Sequence, residues 1–102
     1  MAKINNKWLA VTPEAKTANF NAANGGVYLV SPAGSTLNVQ LPSPSSGISF
    51  IVKDASGDIA NKTITLVRAG SENIDGAAAN KVLTSNYQSF TLVSDGTDWF
   101  II

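Results

Sequence analysis

The chain has 102 residues, with seven Lys plus Arg set against seven Asp plus Glu and neither histidine nor cysteine. One small domain fits that length, and it buries roughly 60–65% of the surface its unfolded chain would expose. Balanced charge leaves no basic stripe for phosphates, which excludes nucleic acid; without cysteine there is no disulfide or thiolate chemistry, and without histidine the usual general base and commonest metal ligand are missing.

Residues 1–24 differ in composition from the rest of the chain. Lys3, Lys7 and Lys16 are half of the lysines, Trp8–Leu9–Ala10–Val11 is an isolated apolar cluster, and Ala18 to Gly26 is small and Asn-rich. This stretch reads as an N-terminal arm or linker, with 25–102 as the β domain. Lys3, Lys7, Trp8, Leu9 and Val11 form its candidate partner-binding set: a Trp in a short apolar cluster is a typical interface anchor, and flanking lysines suit an acidic surface. The competing reading makes Trp8 to Val11 the first strand of the sandwich. Met1 to Val11 lacks the apolar core of a signal peptide, so synthesis in a cytoplasm is expected. Thr12–Pro13–Glu14–Ala15–Lys16 is the best helix candidate, with Thr12 as N-cap and Pro13 as first helical residue; it predicts two turns at most.

From Gly26 the apolar pattern has period two. Val27–Tyr28–Leu29–Val30 follows the turn signal Asn24–Gly25–Gly26. In Thr36 to Leu41, Leu37, Val39 and Leu41 share one face. Pro42 to Gly47 breaks the chain before Ile48 to Lys53, where Phe50 and Val52 face inward and Ile51 outward. Asp54 to Asp58 is a turn with Asx-type bonds. Thr63 to Arg68 turns Ile64 and Leu66 inward. Ala77–Ala78–Ala79 is too short for a helix between Gly76 and Asn80. Val82–Leu83 forms a brief strand. Ser89 to Val93 and Trp99 to Ile102 flank the hairpin loop Ser94–Asp95–Gly96–Thr97–Asp98. Short strands with frequent turns predict a single all-β domain, a small β-sandwich or jelly-roll-like fold behind a short N-terminal arm. No internal repeat is visible. The expected core is Leu37, Val39, Leu41, Phe50, Val52, Ile64, Leu66, Phe90, Leu92, Trp99 and Ile101.

Candidate chemistry is sparse. Asp54 with Asp58, Asp75, and Asp95 with Asp98 lie in turns where calcium would need six to eight oxygens; each turn offers two acids at most, and Asp stabilises turns through its own backbone bonds. No cofactor is expected. Nothing pairs two acids as a glycosidase requires, and no G-x-S-x-G elbow or P-loop occurs, so an enzyme is not expected. Tyr87 beside Asn86 and Gln88 is the candidate for stacking on a sugar ring, with simple packing as the alternative. The longest apolar runs are far too short to span a bilayer, and no basic amphipathic stretch points to a membrane surface.

From Val27 the chain resembles a domain common in bacteriophage virion proteins of the tail-fibre, head-fibre or capsid-associated kind. The matching residues run from Val27–Tyr28–Leu29–Val30 through Leu37 to Pro42, Phe50 to Gly57, Ile64–Thr65–Leu66, Asn73 to Ala77, Asn86 to Ser89 and Leu92 to Trp99. The ordered set V-K-D-A-S-G, I-D-G-A and D-G-T-x-W carries the likeness. It leaves out Met1 to Asn24 and transfers no catalytic or binding residues. The resemblance implies a homotrimeric β module on the virion surface, assembled in the host cytoplasm, with other virion proteins (major capsid or tail protein) as partners. The expected function is capsid decoration, cement or head-fibre protein. The alternative is a tail-fibre tip that recognises a host surface glycan or protein. A receptor-binding fibre ordinarily carries a shaft or anchoring domain, so the short arm favours an accessory bound directly to the shell. Apolar residues on both faces of some strands, as with Ile51, Phe100 and Ile102, also point to an oligomer.

Overall fold

The structure, a computed structural model of the chain, describes residues 12–102 together with the backbone of two short strands before them, β1 (Lys3–Ile4) and β2 (Lys7–Trp8), which pair antiparallel. Nine further strands complete the chain: β3 (Glu14–Lys16), β4 (Phe20–Asn21), β5 (Val27–Val30), β6 (Thr36–Gln40), β7 (Ser49–Asp54), β8 (Thr63–Val67), β9 (Lys81–Val82), β10 (Ser89–Ser94) and β11 (Trp99–Ile101). No helix occurs among the described residues. Strands β3 to β11 form a small all-β domain of two sheets, as the period-two pattern predicts.

The connectivity is a winding one. From β3 to β8 successive strands alternate between a five-stranded sheet, ordered β11-β10-β7-β5-β3, and a four-stranded sheet, ordered β4-β6-β8-β9. Within each sheet the wound strands are parallel: β3 with β5 and β5 with β7 on one side, β4 with β6 and β6 with β8 on the other. The chain thus makes three coils and then reverses, so β9, β10 and β11 add antiparallel. A jelly roll pairs its neighbours antiparallel, so the two-layer character of the prediction fits and the jelly-roll connectivity does not. Ala15 lies beside Leu29 and Leu29 beside Lys53, while Phe20 lies beside Val39 and Val39 beside Leu66. These steps differ in length, which is why the coils leave no repeat in the sequence.

Alternation builds the core. β7 and β10 bury every second residue, and the inward sides of both sheets meet in one cluster that includes Tyr28, Val30, Phe50, Val52, Leu92 and Trp99 from one sheet and Leu37, Val39, Ile64 and Leu66 from the other. All the expected core residues are buried except Ile101, which is partly covered and packs against the cluster. Ala22, Tyr28, Val30, Ile74 and Leu83 join them.

Two expectations about the N-terminal stretch change. Glu14–Lys16 is a strand, not a helical turn: its backbone pairs with β5, and ladder bonds outweigh a weak local capping signal in so short a segment. Residues 14–22, read from composition as arm, contribute the edge strands of both sheets and bury Ala22 in the core. Their small, Asn-rich make-up reflects edge positions with little to bury.

Candidate functional site

Of the partner-binding set, Leu9 and Val11 lie outside the described residues, as do the side chains of Lys3, Lys7 and Trp8; only the backbone of those three is placed, in β1 and β2. The choice between anchor and sandwich strand for Trp8 to Val11 also falls outside the described residues.

The turn acids are placed, and each is occupied by its own surroundings. Asp54 is fully buried at the end of β7. Its Oδ1 accepts from Ser56 N–H at 2.9 Å and Ser56 Oγ–H at 2.6 Å, and its Oδ2 from Gly57 N–H at 3.1 Å and Tyr87 N–H at 2.9 Å. Burial alone would push this carboxyl up, but the four donors outweigh it and hold it below its ordinary value. Asp95 Oδ1 accepts from the N–H groups of Asp98 and Thr97, which lower its carboxyl, and Asp98 Oδ1 accepts from Asn73 N–H at 2.8 Å. Asp75 Oδ1 takes Ile101 N–H at 2.9 Å, and Asp58 Oδ1 takes the Asn61 carboxamide at 2.9 Å. Burial alone would push the Glu72 carboxyl up, but the N–H groups of Ala69 and Gly70 and the Arg68 charge outweigh it and hold it below its ordinary value. Among the described residues no three acids come together as metal ligands.

Tyr87 is 58% exposed and sits at φ 60°, a left-handed conformation uncommon outside glycine. Lys53 Nζ donates to Tyr87 O at 2.6 Å and lies 5.9 Å from the ring centroid. The ring lies across Gly57, where a side chain would collide with it. Its neighbours serve the fold: Asn86 Oδ1 accepts from Ile59 N–H, and Gln88 Oε1 accepts from Thr84 N–H and Ser85 N–H. Tyr87 is therefore displayed, while the acceptor oxygens beside it are committed.

The outer face of the five-stranded sheet is the larger feature. Register aligns Val27 with Ile51 and Ile51 with Thr91, and Ile102 N–H donates to Thr91 O at 2.9 Å beyond them. The row alongside pairs Val93 with Phe100. Phe100 is 40% and Ile102 78% exposed, whereas the inward Trp99 between β10 and the Ile74 bridge is fully buried. Ile51, Phe100 and Ile102 are legible as outward apolar residues from alternation alone. Val93 joins them across the β10–β11 hairpin, whereas Val27 is not legible, because only the winding register sets it beside Ile51.

Compared with known proteins, the chain matches no family model and no curated protein.

Proposed function

We propose that this chain is a structural module of a bacteriophage particle surface, of the capsid decoration, cement or head-fibre kind, that works as a homotrimer. The observation that carries the reading is the apolar band on the outer face of the five-stranded sheet, with Val27, Ile51, Val93, Phe100 and Ile102 in adjoining rows. An open β-sheet face of this kind gains by being covered, and a symmetric self-contact covers it with an equally neutral band. The resemblance to virion proteins supplies the particle context, and a sequence without histidine or cysteine suits a scaffold role.

In this reading the N-terminal residues Lys3, Lys7, Trp8, Leu9 and Val11 dock the module on other virion proteins while the β domain faces outward. Light scattering on the purified chain tests the self-association: a particle of three chain masses at micromolar concentration is expected, and a monomer there overturns it. Co-sedimentation with particles tests the attachment. Trp8→Ala is expected to weaken it more than tenfold, a loss of about 1.4 kcal/mol or more, and to leave the melt of the free protein unchanged. A melt many degrees lower would place Trp8 in the fold instead.

A further inference from the structure

The four-stranded sheet carries a different surface on its outer side. A groove of about 310 Å³ opens there, lined by Asn19, Phe20, Asn21, Asn38, Gln40 and Val67. Its volume is at the small end of ligand sites. Four of its six lining residues are carboxamides, drawn from β4, β6 and the turn before β4. In the sheet, Asn21 stands beside Gln40 and Gln40 beside Val67.

Asparagine is disfavoured in strands, and internal bonding does not account for it here. Asn21 and Asn38 are exposed, and their carboxamides have no intramolecular partner among the described residues. The other two are anchored and keep one half free. Asn19 Oδ1 accepts from Asn38 N–H at 2.8 Å, which leaves its N–H₂ group unspent. Gln40 Nε2 donates to the carbonyls of Leu41, Val67 and Arg68 at 3.1, 3.3 and 3.4 Å, which leaves its Oε1 as an open acceptor. Donors and acceptors therefore adjoin on a rigid β surface, two of them held in place by the backbone.

No lining residue is charged. Lys16, whose Nζ lies 5.3 Å from the Phe20 ring centroid, stands 3.8 Å from the Glu14 carboxylate, so the pair adds no net charge. Arg68, next to Val67, turns its guanidinium to Glu72 O at 3.1 Å. A phosphate or carboxylate ligand would find no counter-charge in the lining. A ligand that offers neighbouring hydroxyls, each both donor and acceptor, matches a set of carboxamides.

We propose that this groove binds a neutral oligosaccharide through the carboxamides of Asn19, Asn21, Asn38 and Gln40. The site is on the opposite sheet from the apolar band and is independent of self-association. The full-length chain, with its side-chain carboxamide resonances assigned, is titrated with malto-, cello-, manno- and N-acetylglucosamine oligomers up to about 10 mM, which detects a Kd near 1 mM; a sulfated oligosaccharide serves as the charged control. Saturable shifts of the groove carboxamides with at least one neutral oligomer are expected. Asn21→Ala and Asn38→Ala are each expected to weaken that binding at least tenfold without moving the melting temperature, since neither side chain has a bond to lose among the described residues. Silence with every neutral oligomer, shifts that survive both substitutions, or tighter binding of the sulfated control would each overturn the proposal.

Discussion

Asp54 shows how a turn residue becomes a structural keystone. It occupies an inward position of β7, beside Val30, yet it is a carboxylate. Its burial is tolerated because three N–H groups and one hydroxyl converge on its two oxygens. Two of those N–H donors come from the adjoining turn and one from Tyr87, so the same carboxylate closes a local loop and ties β7 to the segment before β10. Asp54→Asn puts an N–H₂ group against these donors and is expected to cost about 2–4 kcal/mol in a urea melt. Because the folded carboxyl lies below its ordinary value, the unfolded chain binds this proton more readily. The stabilisation is full above about pH 4 and is lost as pH falls through the folded value. Asp95 and Glu72 act with the same sign, so the measurement is the difference between proteins: Asp54→Asn should lose less stability than the parent on the same acid step.

Trp99 poses the opposite problem. It is fully buried, with its ring edge-on to Phe50 at 5.4 Å between centroids, and its Nε1–H finds no acceptor among the described residues. An orphaned buried donor costs about 1–3 kcal/mol, set against the large apolar contribution of the ring. Trp99→Ala is expected to lose about 3–5 kcal/mol. Trp99→Phe removes the orphan along with part of the ring and should cost less than half as much; equal losses for the two variants would show that the indole N–H is satisfied in solution.

At the scale of elements, β11 holds the end of the winding together. It pairs with β10 on one side, and on the other Trp99 N–H donates to Asn73 O at 2.9 Å and Asp75 N–H donates to Trp99 O at 3.0 Å. Asp75, at φ 50°, also receives Ile101 N–H. Removing residues 99–102 therefore strips a buried Trp, uncovers the β10 edge and frees the Asn73–Asp75 corner at once. Far-UV circular dichroism and a thermal melt of the truncated chain should show no cooperative transition. A truncated protein that still melts cooperatively would locate the folding unit in the three coils alone.

For the whole molecule, the two sheets present outer faces of different chemistry: an apolar band on the five-stranded sheet and a carboxamide groove on the four-stranded one. Self-association through the first makes a specific demand. Phe100→Asp and Ile102→Asp place charge on exposed positions outside the core and should convert the assembly to monomers that still melt cooperatively. Melting of the parent protein should rise with its concentration, because association stabilises only the folded chain. Concentration-independent melting, or variants that keep the parent's mass, would remove the band as the interface.

What the sequence determined by itself is the content of each strand. Period two in Thr36 to Leu41, Ile48 to Lys53 and Ser89 to Val93 places Leu37, Val39, Phe50, Val52, Phe90 and Leu92 inward with no knowledge of neighbours, because side chains alternate about a strand whatever it pairs with. The turns were legible for a similar reason: Asp and Gly act on their own backbone, as at Ser94 to Asp98. What only the tertiary structure decided is which strand lies beside which. Parallel pairing of β5 with β7 and β6 with β8 joins segments far apart in the chain, and no local signal encodes a partner when coil lengths differ. The same holds for Glu14–Lys16 and Phe20–Asn21, strands only because β5 and β6 offer them an edge. It also holds for both candidate surfaces, since Val27 meets Ile51, and Asn21 meets Gln40, only through that winding.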